Sequence, residues 1–370
     1  MNHLIHSYIL GFKEVSMKNK IITFTFTFYL ILFAVLHIAF PDKSMSTTER
    51  RQLRTFPEFS FTSEYITKVE KYLLDHFPYR EKYRMVKATF NYNVLNRLEN
   101  NNIYLKDNNI YKSNYPTNIN SINNFNNKII KLDSLLTKNN KTYMMIVPDK
   151  NYYLEDNNFL HIDYNYIYSE VGKLDIKNID IKNILTKEDY YETDTHWKQE
   201  NIEKVVYELS KVMNFRYQKQ NYIKYEYDNF YGVYYGESAV TRSPEKLTYL
   251  TNNIIDNTNV KYLENSKLTK VYNEDKLGSF DPYEVYLDGA SSFIEITNPN
   301  STNKKELVIF RDSFGSSIAP LLIPYYSKIT LIDNRYINSD TFMNYITFED
   351  QDVLFLYSTL LVNDSGSLKG

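Results

Sequence analysis

Residues 306–322 read ELVIFRDSFGSSIAPLL. A short apolar run, Glu306–Phe310, leads into Arg311-Asp312-Ser313-Phe314-Gly315 and then into a stretch near 316–326 that reads as a helix. An apolar run of that length, bounded by turn residues, marks a buried strand. The pattern recurs along the chain. Thr142–Val147 (TYMMIV) is stopped by Pro148, and Ile329–Ile332 and Val353–Tyr357 are further runs of the same kind. Helical stretches alternate with them. Ile122, Phe125, Ile129, Leu132 and Leu136 line one side of 119–138, and Ile202, Val205, Val206, Leu209, Val212 and Met213 form a second stripe. A less distinct helix near 339–347 precedes the last run. Strands alternating with helices predict an α/β fold, a parallel sheet flanked by helices on both faces. In such sheets sites lie beyond the carboxyl ends of the strands, which puts Ser313 in the crevice.

Ser313 gains meaning from a second motif, Asp194-Thr195-His196-Trp197. A serine hydroxyl is a weak nucleophile that needs an adjacent base, and the base needs an orienting carboxylate. Of six histidines, His3, His6 and His37 lie in or near the N-terminal apolar region, leaving His76, His161 and His196. His196, with Asp194 two residues before it, is taken as the candidate base. Capping is the competing explanation for each motif: Asp312 or Ser313 caps one helix, and Asp194 or Thr195 caps the helix starting near Lys198. A metal site ranks low, because no second His–carboxylate cluster stands out, and neither metal nor cofactor is expected.

At 370 residues and 43% hydrophobic, the chain can bury one large core or two modest ones. Its net charge of −2 gives no whole-chain basic signature, so no nucleic-acid partner is expected. The 36 tyrosines against nine glycines fit biased coding composition, with a carbohydrate-facing surface as the alternative. Zero cysteines exclude disulfides and thiolate chemistry and leave the compartment open.

Residues 21–40, IITFTFTFYLILFAVLHIAF, carry no charge and reach about 30 Å as a helix, enough to span a membrane. Lys18 and Lys20 precede the stretch and Pro41-Asp42-Lys43 ends it. It is long for a cleavable signal peptide, and no clear small-x-small site follows. An uncleaved signal anchor is the expectation, with residues 1–20 a cytoplasmic tail and Met17 an alternative start to Met1. Residues 41–100 read as a linker and helical juxtamembrane region. Residues 101–365 form the main domain, opening with a plausible hairpin at Ile103–Lys112 and holding an irregular insertion at about 214–300.

The segment YYETDTHWKQEN resembles the signature of the DHHW family. That family is similar to the SGNH-hydrolase-like domains of the alginate O-acetylation proteins AlgJ and AlgX. The resemblance spreads over most of residues 45–360: ERRQLRTFPEF, Val147–Tyr153, Tyr234–Ser238, the serine motif and Ile332–Tyr336 follow in order. It implies an SGNH-like fold with Ser313 as nucleophile, His196 as base and then acid, and Asp194 as orienter. Arg311 stands where a Gly-Asp-Ser block has its glycine, which leaves the oxyanion hole open. The Ser313 N–H, Asn334 and Arg335 are candidates for it. Lys150, Tyr152 and Tyr153 are candidates for sugar contact, with packing an equal alternative for the tyrosines. The resemblance implies a membrane-anchored, extracytoplasmic O-acetyltransferase or acetylesterase acting on a cell-surface polysaccharide, supplied with acetyl groups by a multi-pass membrane acyltransferase. The alternative is a non-catalytic polysaccharide-binding or assembly protein that keeps the fold.

Overall fold

The computed structural model describes residues 2–154, 158–263 and 265–369. The chain divides into two units, Met1–Lys87 and Ala88–Gly370.

In the first unit, helix α1 (Asn2–Ala39) contains the apolar stretch, and its Met17–Ala39 part is long and apolar enough to cross a membrane. A signal sequence passes the same measure. Helix α2 (Ser63–Asp75) begins at Thr62, whose hydroxyl accepts from the Tyr65 N–H, and ends before His76-Phe77-Pro78. Asp75 is buried and draws the side chains of Arg51 and Arg54 to its carboxylate. Helix α3 (Arg80–Thr89) follows, with a π-helical turn over Phe90–Val94.

The second unit is built on an eight-stranded sheet. Its strands are β1 (Lys141–Val147), β2 (Lys177–Asn178), β3 (Asn259–Tyr262), β4 (Asn265–Thr269), β5 (Phe293–Thr297), β6 (Glu306–Arg311), β7 (Lys328–Ile332) and β8 (Asp352–Ser358). Their order across the sheet is β4-β3-β5-β7-β6-β8-β1-β2. The five strands from β7 to β2 run parallel; β4, β3 and β5 extend that sheet antiparallel. The apolar runs are continuous because both faces are covered. Leu307 and Ile309 of β6 enter one core layer, and Val308 and Phe310 enter the other. The first layer holds helices α4 (Glu203–Met213) and α5 (Phe314–Leu322), and the second holds the helices Ile119–Asp133 and Tyr164–Val171. Burying each such Leu or Ile contributes about 1.5–3 kcal/mol, so a charge at Ile309 would break the sheet at its centre.

The hairpin pairs Ile103–Lys106 with Asn109–Lys112. Its turn residues Asp107 and Asn108 both take positive φ, as a two-residue hairpin turn requires. The stretch 214–300 is less irregular than its composition predicts. It supplies β3, β4 and β5 as well as a separate antiparallel pair, Ile223–Phe230 with Glu245–Thr251. In β3 the alternation is plain, with Val260 and Tyr262 buried and Asn259 and Lys261 exposed. Asn and Lys on the outer face mask this period in a composition-based reading.

Candidate active site

Strand β6 ends at Arg311, and helix α5 starts at Phe314 with Ser313 at its N-cap. Asp312 holds the turn between them. One of its carboxylate oxygens accepts from the Phe314 N–H at 3.0 Å, and the other accepts from the Ser358 N–H at 2.7 Å, at the end of β8. The capping duty thus falls to Asp312. The Ser313 hydroxyl makes no cap bond and lies 2.7 Å from His196 Nε2.

His196 sits in a tight reversal of the chain. Tyr190 bridges Trp197, the Tyr191 N–H donates to the His196 carbonyl at 3.1 Å, and the Lys198 N–H donates to the Asp189 carbonyl at 2.7 Å. Within the reversal, Asp194 Oδ1 accepts from the His196 N–H at 3.0 Å and lies 2.6 Å from His196 Nδ1. Its other oxygen accepts from the Val233 N–H at 2.7 Å. With Asp194 accepting at Nδ1, that nitrogen carries the proton and Nε2 is left to accept from Ser313. Asp194 therefore orients the imidazole and does not cap α4, which begins only at Glu203.

The surroundings fix the ring further. Tyr283 stacks on His196 with centroids 3.9 Å apart and planes 11° from parallel, and Phe314 lies 5.1 Å away. The Tyr283 hydroxyl donates to Ser317 Oγ at 2.9 Å, and the buried Trp197 indole donates to the same oxygen at 2.7 Å. Ser317, on the first turn of α5, thus ties the wall beside the imidazole to the helix that follows Ser313. Burial pushes the Tyr283 phenol well above its ordinary range, so it stays neutral.

The loop carrying Asp194 is braced from outside. The Glu245 carboxylate accepts from the Glu192 and Thr193 N–H groups at 2.6 and 2.7 Å. Lys150, expected at a sugar, is instead 1% exposed, and its ammonium donates to the Tyr191 and Glu192 carbonyls at 3.0 and 2.9 Å. Burial pulls its pKa down to about 7, against the opposing pull of Glu245, Asp194 and Glu192. Gly232 packs against the same loop; a Cβ there would lie 2.3 Å from the Thr193 carbonyl oxygen and 2.4 Å from Asp194 Cβ.

The remaining candidates are held elsewhere. Asn334 is fully buried and accepts from the Tyr357 hydroxyl at 2.7 Å. Arg335 clasps Asp333 at 2.6 Å; burial pulls its pKa down, but the carboxylate outweighs this and leaves it above the ordinary value. Neither hydrogen bond reaches the Ser313–His196 pair. Tyr152 packs edge-on to Tyr153 and Tyr164. Tyr152 and Tyr153 line an open cleft of about 670 Å³ with Lys182 and Lys187, apart from the serine and histidine. Arg311, in the place of the usual glycine, is 1% exposed. Its guanidinium donates to the Ser316 hydroxyl and to the Gly289 and Ser291 carbonyls, and lies 3.6 Å from the Asp333 carboxylate. Gly315 makes room for it, since a Cβ there would come within 2.7 Å of Arg311 Cβ.

Sequence reasoning missed Gly232, Val233, Glu245, Tyr283 and Ser317. Gly232 had a signal, a glycine in a glycine-poor chain beside the Tyr234–Ser238 motif. Tyr283 had none, being one of 36 tyrosines.

By sequence, no family model and no curated protein matches the chain. By structure, a DHHW family protein from Eubacterium siraeum superposes with a TM-score of 0.60 at 17% identity, over 74% of this chain and 97% of that one. Bacillus cereus PatB1, solved with a sulfonyl adduct, superposes with a TM-score of 0.56 at 19% identity, over 72% of this chain and 95% of that one. A second PatB1 structure gives 0.54 at 18% identity. The chain thus has the SGNH-like α/β fold seen in the DHHW family protein and in PatB1.

Proposed function

We propose that this protein is a membrane-anchored O-acetyltransferase or acetylesterase acting on a cell-surface polysaccharide, with its main domain outside the cytoplasm. The observation that carries the reading is the chain Ser313 Oγ–His196 Nε2–His196 Nδ1–Asp194 Oδ1, with steps of 2.7 and 2.6 Å across the imidazole. Ser313 Oγ attacks the acetyl carbonyl while His196 Nε2 takes its proton, and Asp194 stabilises the imidazolium. We assign the Ser313 N–H, at the helix N-terminus, as a backbone donor for the developing oxyanion. His196 then gives its proton to the leaving group, and the acetyl remains on Ser313. A sugar hydroxyl, deprotonated by His196, attacks this ester and the proton returns to Ser313 Oγ; water in its place gives hydrolysis. The sulfonyl adduct of PatB1 supports a nucleophilic reading of the shared fold, because a sulfonyl group is captured by a nucleophile. A glycan as acceptor and a membrane acyltransferase as acetyl source follow from the resemblance of the motifs.

The test is hydrolysis of an aryl acetate by the wild-type chain, Ser313→Ala and His196→Ala, with mass spectrometry for an acetyl group on Ser313. Wild type should exceed both variants by at least 100-fold, and the adduct should vanish in Ser313→Ala. Equal rates in all three proteins, together with no adduct, would remove the enzymatic reading and leave glycan binding on the same fold.

A further inference from the structure

The N-terminal unit presents a run of aromatic and aliphatic side chains with no protein cover. Phe61 is 96% exposed, Phe59 68% and Ile66 65%. Contiguous exposed apolar surface marks a contact with protein or membrane. The unit's own packing says which. Phe77 sits against Phe33 of α1 with ring centroids 5.2 Å apart, and Tyr79 sits against Phe40 at 5.3 Å. Tyr72 meets His37 edge-on at 5.9 Å. Phe33 lies six residues before the end of the Met17–Ala39 span, so about 9 Å down the helix axis at 1.5 Å per residue. A 23-residue helix is about 34 Å long, slightly more than the roughly 30 Å hydrocarbon core. A side chain packed on Phe33 therefore sits at the depth of the acyl chains, and one packed on Phe40 sits at the headgroups.

From that corner an aromatic path leads outward along α2. Tyr72 and Tyr65 lie two turns apart on one face, and Phe56 meets Tyr72 edge-on at 5.2 Å. Phe59 meets Tyr65 at 5.2 Å and Phe61 at 4.8 Å. Rings with one apolar body and one polar tip are those that settle at a membrane–water boundary. Asp42 is bonded by the Tyr72 hydroxyl at 2.7 Å, which fixes α2 to the end of the anchor.

We propose that residues 53–87 form a collar embedded in the lipid surface around the anchor, with Phe59, Phe61 and Ile66 among the acyl chains of the near leaflet. The occupant of the exposed apolar surface is lipid. The collar rests on reading Met17–Ala39 as a membrane-spanning anchor.

Native Trp197, the chain's single tryptophan, is fully buried and gives a constant background. Phe61→Trp and Phe28→Trp are made separately in the full chain and reconstituted into phosphatidylcholine vesicles with and without bromine-labelled acyl chains. Bromine quenches tryptophan only on contact. The added emission of both variants should fall at least two-fold in brominated vesicles, with the native chain unchanged. Quenching of Phe28→Trp without quenching of Phe61→Trp would overturn the collar and keep the anchor. A blue-shifted but unquenched Phe61→Trp would also overturn it, by showing a protein cover such as a second copy. No quenching of Phe28→Trp would remove the anchor, and the collar with it.

Discussion

The ring of Tyr283 lies flat on the imidazole of His196, 3.9 Å between centroids. On the proposed mechanism the imidazole serves first Ser313 and then an acceptor hydroxyl, and the stacked phenol holds the plane in which it would do both. Removing the ring in Tyr283→Ala should lower the aryl acetate kcat by about 100-fold, the cost of a misplaced catalytic group. Tyr283→Phe keeps the stack and loses only the bond to Ser317, so it should stay within about five-fold of wild type. A KM that stays constant while kcat falls would identify Tyr283 as a positioning residue. Equal losses in both variants would show that the hydroxyl, not the stacking, matters.

Gly232 permits the approach of its backbone to Asp194. Gly232→Ala places a methyl group inside contact distance of Thr193 and Asp194, so the loop must move. The expected cost is about 1–3 kcal/mol in urea unfolding, as for other overpacked sites. Ester hydrolysis should fall at least ten-fold. Unchanged hydrolysis would mean that the loop yields without disturbing Asp194.

Lys150 gives a pH signature. Its folded-state pKa, about 7, lies below the unfolded value of about 10.4. Between those values the unfolded chain holds a proton that the native chain has released, so this group makes stability rise with pH above about 7. Below pH 7 the buried charge is a full burden on the native state. Lys150→Met lacks this contribution, so its urea midpoint should rise less between pH 7 and 9 than that of wild type. Parallel profiles for the two proteins would show that the ammonium is not the titrating group.

Arg311 is a structural cation. Arg311→Gly restores the residue usual before Asp-Ser, and should nonetheless destabilise the fold by about 3 kcal/mol. It strips donors from Gly289 and Ser291 and removes one of two cations beside the buried Asp333. Arg335 remains on that carboxylate and keeps the loss at the lower end. Denaturant unfolding measures it, and a neutral or stabilising result would refute the assignment.

The apolar runs at 142–147, 307–310, 329–332 and 353–357 announce the central strands because each is buried on both faces. The register then carries the ends of β6 and β8 to the same edge, where Asp312 and Ser358 meet. Spacing alone leaves helix capping as good an explanation for each motif, and it is the resemblance of the two motifs together that singles out Ser313, His196 and Asp194. The bracing shell stays hidden. A glycine chosen for a missing Cβ, a tyrosine chosen for the plane of its ring and a lysine chosen to fill two carbonyls look like any other Gly, Tyr and Lys. Lys150 is such a case: its position past a strand end suggests a ligand contact, whereas its 1% exposure makes it a buried brace.

Val233 secures Asp194 and Tyr283 secures His196, and both come from the stretch 214–300. Enzymes on α/β scaffolds commonly change substrate by exchanging such inserted segments while the strands and reacting groups stay in place. Here that modularity is broken. A graft that replaced the whole stretch would have to bring its own backbone donor for Asp194 and its own ring for His196, so on the proposed function a change of specificity is expected from substitutions elsewhere in 214–300 that leave Gly232, Val233 and Tyr283 in place.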